Sequence, residues 1–258
     1  MCSVLFEQNQ HIGIITLNRP EAMNAFNFDM LEKLGNFINL IRINPEIRVV
    51  LFKANGDRAF SVGADLKERK TLPPPLVIRN LNKFAEVFTA IEQLPQPTIC
   101  LIDGFAFGGG FELILACDFR IASKKTVVGL TETSLGIIPG AGGTQRLPRI
   151  VGETKALELI LTSKRIIADE GYAIGLFLNV VESEELQSTA DTFISQILKN
   201  APIAVQQAKF AVKHGMNVDL QSGLHIERKA YEATIPTEDR IEALNAFAEK
   251  RSPLFKGK

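Results

Sequence analysis

Tryptophan is absent from this chain of 258 residues, and cysteine and histidine occur only three times each. Cys2, Cys100 and Cys117 form no CxxC pair and leave an odd thiol, which argues against a disulfide framework or a thiolate zinc site. His11, His214 and His225 show no HExxH spacing and no paired-ligand pattern, so no metal is expected. Charge of one sign is lacking too. Lys+Arg and Asp+Glu number 29 each, so neither a phosphate backbone nor an anionic bilayer is called for as partner. No apolar run reaches the roughly 18 residues of a membrane span. The N-terminal stretch has neither a basic-then-apolar leader nor an Arg/Ser-rich transit pattern. A cytoplasmic protein, or the mature form of a mitochondrial matrix protein, is the expectation. GxSxG, GxxxxGK[ST] and GxGxxG are missing as well, which removes the main support for a serine hydrolase, a P-loop NTPase or a standard dinucleotide reader.

What remains is an ordinary globular composition, 46% hydrophobic and 22% charged. A chain of this length buries enough surface to fold without staples. Val4–Phe6 and Ile12–Leu17 read as strands joined near Asn9-Gln10. Phe28, Leu31, Leu34, Ile38 and Ile41 recur at helical spacing and predict a helix over 28–41. Val49–Phe52 is a buried strand. Phe60–Leu66 reads as a glycine-bearing loop, and the charged stretch up to Pro73-Pro74-Pro75 as irregular surface, because prolines remove backbone donors. A helix is predicted over 81–94 and a strand over 98–102. Gly108-Gly109-Gly110 then leads into a helix running through Cys117. Short strands follow at 119–122 and 127–130. From Gly152 onward helices dominate, at 154–161, 168–174, 184–199, 203–214, 220–231 and 238–250, with one strand near 179–181. In the last helix Ile241, Leu244 and Ala248 mark the stripe expected to be buried. Strand–loop–helix units in series imply α/β architecture with active groups on the loops.

The glycine run is the most informative feature. Three glycines at a strand-to-helix junction let a ligand approach the backbone, and the first helical amides lack partners. Such amides can hold an oxyanion, or the run can serve tight packing alone. Glu112 follows inside the apolar segment Phe111–Ala116. A carboxylate there is desolvated, which raises its pKa and suits acid–base work; a helix-start carboxylate satisfying free amides is the other reading. Glu132 sits at a strand exit before the glycine-rich turn 136–143, as an acid–base group or as a cap. The 60–66 segment offers a second backbone amide near Ala64, and Asp65 is placed to cap the helix that follows.

Taken together, Asn18-Arg19-Pro20 with Asn24-Ala25-Phe26, Phe60–Leu66, Asp103–Leu113 and Gly129–Leu147 resemble the crotonase superfamily of enoyl-CoA hydratases and isomerases. The resemblance implies a spiral of ββα units over 1–195 and a C-terminal helical oligomerisation region over 196–258. It implies an acyl-CoA substrate and a homotrimer or homohexamer. The thioester oxygen would rest on the amides of Ala64 and Gly109, with Glu112 and Glu132 as the acid–base pair. No separate cofactor is implied, since coenzyme A belongs to the substrate. By position, Arg19, Ala64, Asp65, Leu66, Gly109, Phe247 and Lys250 are the implied coenzyme A contacts. An isomerase of the same family would need only the glutamate at 132.

The tail segments 214–220, 234–240 and 246–251 are similar to the methylglutaconyl-CoA hydratases of leucine breakdown. Arg69, Lys70, Arg79 or Lys83 could then meet the second carboxylate of such a substrate. That subfamily includes an RNA-binding member with a lysine-rich early helix. Here the matching helix carries only Lys33 and Arg42 as cations, beside Asp29 and Glu32, and no nucleic-acid partner is expected.

Overall fold

Backbone periodicity switches repeatedly between two and 3.6 residues, and each switch marks a crossing from sheet to helix. The structure, a computed structural model, describes residues 2–258. In chain order the first half comprises β1 (Val4–Asn9), β2 (Ile12–Leu17), α1 (Phe28–Ile43), β3 (Val49–Ala54), β4 (Ala59–Ser61), α2 (Leu66–Thr71), α3 (Pro74–Glu92), β5 (Thr98–Ile102), β6 (Phe105–Phe107) and α4 (Gly109–Ala116). The second half comprises β7 (Phe119–Ser123), β8 (Val127–Gly129), α5 (Gly143–Val151), α6 (Glu153–Leu161), β9 (Ile166–Ile167), α7 (Ala168–Ala173), β10 (Asn179–Val181), α8 (Leu186–Leu198), α9 (Pro202–Gly215), α10 (Leu220–Glu232) and α11 (Glu238–Glu249).

The strands divide between two sheets. One has the order β1-β2-β3-β5-β7-β10 and the other β4-β6-β8-β9. Successive pairs β3–β4, β5–β6 and β7–β8 each place their first strand in the large sheet and their second in the small one. This is the α/β spiral of ββα units that the sequence led us to expect. β2, β3, β5, β7 and β10 run parallel, as do β4, β6 and β8. β5, Thr98–Ile102, is buried at every position, the pattern of a central parallel strand covered on both faces. One core lies around α1, α3 and α4, and a second joins the far face of the large sheet to Leu186, Ala190 and Ile194 of α8. Residue 195 lies inside α8, a helix that packs on the sheet.

Three expectations need correction. The hairpin turn is Gln10-His11, because Asn9 pairs with Ile12. The segment up to the three prolines is two helices, α2 and the start of α3. Pro73 is the cap of α3, and Pro74 and Pro75 fill its first turn, where a helix has no use for their missing N–H groups. The stripe Ile241–Leu244 is exposed, whereas Asp239 and Ala246 are the buried residues of α11. The C-terminal segment returns across this helix: Lys256 N and Gly257 N donate to the Asp239 carboxylate at 2.7 and 2.8 Å.

Candidate active site

Because β4, β6 and β8 run parallel, their C-terminal ends lie along one edge of the small sheet, where ligands of parallel sheets are usually met. The chain leaves β4 into Val62–Asp65, leaves β6 through Gly108 into α4, and leaves β8 through Thr131 into a short 3-10 turn beginning at Glu132. Ala64, Gly109 and Glu132 are thus gathered at one edge by topology. They line a cavity of about 820 Å³ together with Leu66, Arg69 and Glu112.

The β4 exit is held rigidly. Asn24 is fully buried and donates to Asn55 O and Ala59 O at 2.9 and 3.0 Å, while Ser61 Oγ donates to Asn24 O at 2.7 Å. Phe26 N donates to Gly63 O and Asp65 N to Phe26 O, a parallel bridge that leaves Ala64 N directed the other way, with no acceptor among the described residues. Gly109 N is the first amide of α4 and lacks a helical partner for the reason any N-terminal amide does. The two turns touch: a Cβ on Gly63, whose φ is +87°, would lie 2.8 Å from Gly109 N. Only glycine permits that approach, which brings two free amides into one place.

Glu112 is on α4, one turn in, and only 3% exposed. Its Oε1 accepts from Ala141 N at 2.7 Å and Gly143 N at 2.8 Å. Burial raises its pKa, while these amides and the Arg146 charge oppose the shift. Arg146 of α5 fixes the loop that supplies the amides. It donates to Ala141 O at 2.8 Å and grips Glu92 of α3 at 3.0 and 2.7 Å. Glu132 has the opposite surroundings. Its Oε2 is buried and has no hydrogen-bond partner in the protein. It stands against the backbone of the β6–α4 turn, where a Cβ on Gly108 would lie 3.1 Å from its Oε1. Burial, and then the nearby Glu112 charge, push its pKa up to about 7. Two carboxyls close together cannot both ionise freely. The backbone donors favour the charged form of Glu112, whereas burial and the nearby charge favour the neutral form of Glu132.

The implied coenzyme A contacts are distributed unevenly. Ala64, Leu66 and Gly109 line the cavity. Arg19 and Asp65 pair with each other at 3.1 Å, and Asp65 also caps α2 through Lys67 N and Glu68 N, so neither forms the cavity wall. Phe247 is 86% exposed on α11, and Lys250 follows at the end of that helix; neither lines the cavity. Sequence reasoning missed Phe84 and the Arg146 brace. Phe84 packs edge-to-face with Phe26 at 5.7 Å, and a Cβ on Gly109 would lie 3.1 Å from its ring. Its only sequence signal was the apolar stripe of α3. Among the described residues no cluster of three metal-ligating side chains occurs, and no helix is long and apolar enough to cross a membrane.

Comparison with known proteins follows the same lines as the geometry. Residues 7–258 match the protein family described as Enoyl-CoA hydratase/isomerase. The chain is 49% identical to the Bacillus subtilis protein YngF, whose name places it among the enoyl-CoA hydratases/isomerases, over 99% of this chain and 98% of that one. It is 40% identical to human mitochondrial methylglutaconyl-CoA hydratase, over 98% of this chain and 76% of the relative. A crystal structure of enoyl-CoA hydratase from Bacillus anthracis superposes with a TM-score of 0.97 at 45% identity, covering 99% of this chain and all of that chain, 100%.

Proposed function

Since this chain belongs to the enoyl-CoA hydratase/isomerase family and is an enzyme of the crotonase type, we propose that it adds water across the 2,3 double bond of an enoyl-CoA thioester. The observation that carries this reading is the pairing of two carboxyls, Glu112 buried and held by two backbone amides and Glu132 with no hydrogen-bond partner for its buried Oε2, beside two amides without acceptors. The thioester oxygen accepts from Ala64 N and Gly109 N. Glu112 takes a proton from water as the oxygen attacks C3. The π electrons move to the thioester, and the resulting enolate is held by the two amides. Glu132 delivers its proton to C2. Each oxyanion donor is worth about 2.7–4 kcal/mol in comparable sites, and each positioned acid–base group on the order of 10²–10⁴ in rate. The reaction needs no separate cofactor, because coenzyme A arrives with the substrate.

Likeness to human methylglutaconyl-CoA hydratase supports methylglutaconyl-CoA, and with it leucine breakdown, as the source of the acyl group. Phe247 on α11 and Lys250 just after it, both exposed, would contribute to coenzyme A binding from a neighbouring chain of a trimer or hexamer. The test is hydration of crotonyl-CoA, followed by loss of the enoyl-thioester absorbance. Glu112→Gln and Glu132→Gln are each expected to lose at least about a hundredfold in kcat. Near-normal hydration in either variant removes that residue from the mechanism. An isomerase using Glu132 alone would instead shift the double bond of a 3-enoyl-CoA, and would keep doing so in Glu112→Gln.

A further inference from the structure

The buried Oε2 of Glu132 meets no donor, so the placing of this carboxyl falls to the short turn that Glu132 begins. Packing anchors that turn poorly. None of its residues is fully buried, and Leu135 is 57% exposed. What ties it down is the corner where α6 ends. Ser134 N donates to Ser163 Oγ at 3.1 Å. Thr133 Oγ1 spends its one proton on Ile160 O at 2.7 Å, so Ser163 Oγ must donate to Thr133 Oγ1, 2.7 Å away and 30 residues earlier in the chain. The bonds form an ordered relay from Ser134 N–H through two hydroxyls to a helix carbonyl. Each hydroxyl both accepts and donates, which fixes its orientation.

The corner has a particular backbone. Ser163 N donates to Ile160 O and Lys164 N to Leu159 O, the paired bonds that close a helix on a left-handed residue. Glycine takes that conformation most easily, yet the residue here is serine, with φ +53°. The side chain kept against that strain is the one that bonds the Glu132 turn. The next residue extends the contact: a Cβ on Gly129, at the end of β8, would lie 3.1 Å from Lys164 O. The corner therefore meets the chain on both sides of Glu132. Ser163 itself lies outside the cavity wall.

We propose that Ser163 is a positioning residue for Glu132, its hydroxyl tying the turn that carries this carboxyl to the end of α6 and so fixing where the carboxyl stands in the cavity. This rests on the hydration reading above and adds to it a residue that touches no substrate.

Ser163→Gly tests it, because glycine keeps the left-handed corner and removes only the hydroxyl. Hydration of crotonyl-CoA is expected to lose about tenfold in kcat with KM within about twofold of wild type, while the urea midpoint does not fall. Thr133→Val breaks the relay from its other end, and the double variant is expected to be no slower than the slower single one. Glu112 of α4 and Arg69 of α2 are the charged groups that reach Glu132, and the substitution alters neither. A Glu132 released towards water should therefore titrate below its wild-type value of about 7, read by carbon NMR of its carboxyl and assigned with Glu132→Gln. Three results overturn the proposal: a Ser163→Gly variant with near-normal kcat, a loss of kcat that leaves the Glu132 titration unmoved, or losses that multiply in the double variant. If the wild type fails to hydrate crotonyl-CoA, the hydration reading fails, whereas the titration still decides whether Ser163 positions Glu132.

Discussion

A carboxyl drawn out of water with a buried oxygen that no donor meets keeps its proton to unusually high pH, and Glu132 is in that position. If the protonated form delivers the proton to C2, kcat/KM for crotonyl-CoA should fall as pH rises through about 7. Arg69→Gln removes a charge that lowers this pKa, so the falling limb should move to higher pH. Stability carries the same signature. The folded pKa, about 7, lies above the ordinary 4.5, so the stability linked to this group is fully present below pH 4.5 and is lost as pH rises through 7. Glu132→Gln should therefore be more stable than wild type at pH 8, by roughly 2–3 kcal/mol in urea unfolding, and indistinguishable near pH 4. A constant difference across that range would contradict the assignment. Much of this site could be read from the sequence: an acid inside an apolar run and glycines at strand exits marked Glu112, Glu132 and the two amides. The Arg19–Asp65 pair could not, because its members are 46 residues apart and meet only through the bridge between Phe26 and Ala64.

Elements were legible where the periodic stripe is long, as in α1 and β5, and illegible where proline changes meaning with position. Pro73–Pro75 look like a break and instead begin a helix. Pro148 lies inside α5, a helix that sequence reading did not anticipate; its amphipathic pattern is short and interrupted. The attachment of α9 was equally hidden. Lys209 and Lys213 of that helix converge on the buried Asp118 carboxylate, which also accepts from Thr98 N and Oγ1 at 2.9 and 3.0 Å. Lys209 is buried and its pKa lowered by desolvation. Asp118→Asn leaves that ammonium without a counter-charge and should cost about 3–5 kcal/mol, read as a lowered urea midpoint. The cavity lies elsewhere, so the folded variant should keep its kcat within a few fold. Loss of activity without loss of stability would show that α9 governs the site directly.

At the scale of the whole molecule, α9 buries no residue fully and α10 only Ala230, while Phe210, Met216, Leu220, Leu224, Leu244 and Phe247 lie exposed. These exposed apolar side chains are what the proposed oligomer would cover. Sedimentation at micromolar concentration is expected to give three or six chains per particle, and Leu244→Asp to shift the distribution towards smaller species. A monomeric wild type would contradict the reading of the tail as an oligomerisation region and the contribution of Phe247 and Lys250 to a neighbour's site. The central claim, two amides and two carboxyls acting on one thioester, is tested most directly by a crystal structure with bound 3-hydroxybutyryl-CoA. The account predicts the thioester oxygen at about 2.7–3.1 Å from both Ala64 N and Gly109 N, with the 3-hydroxyl in hydrogen-bond reach of Glu112 and the Glu132 carboxyl beside C2. A thioester oxygen bound elsewhere, or either carboxyl turned away from those carbons, would contradict it.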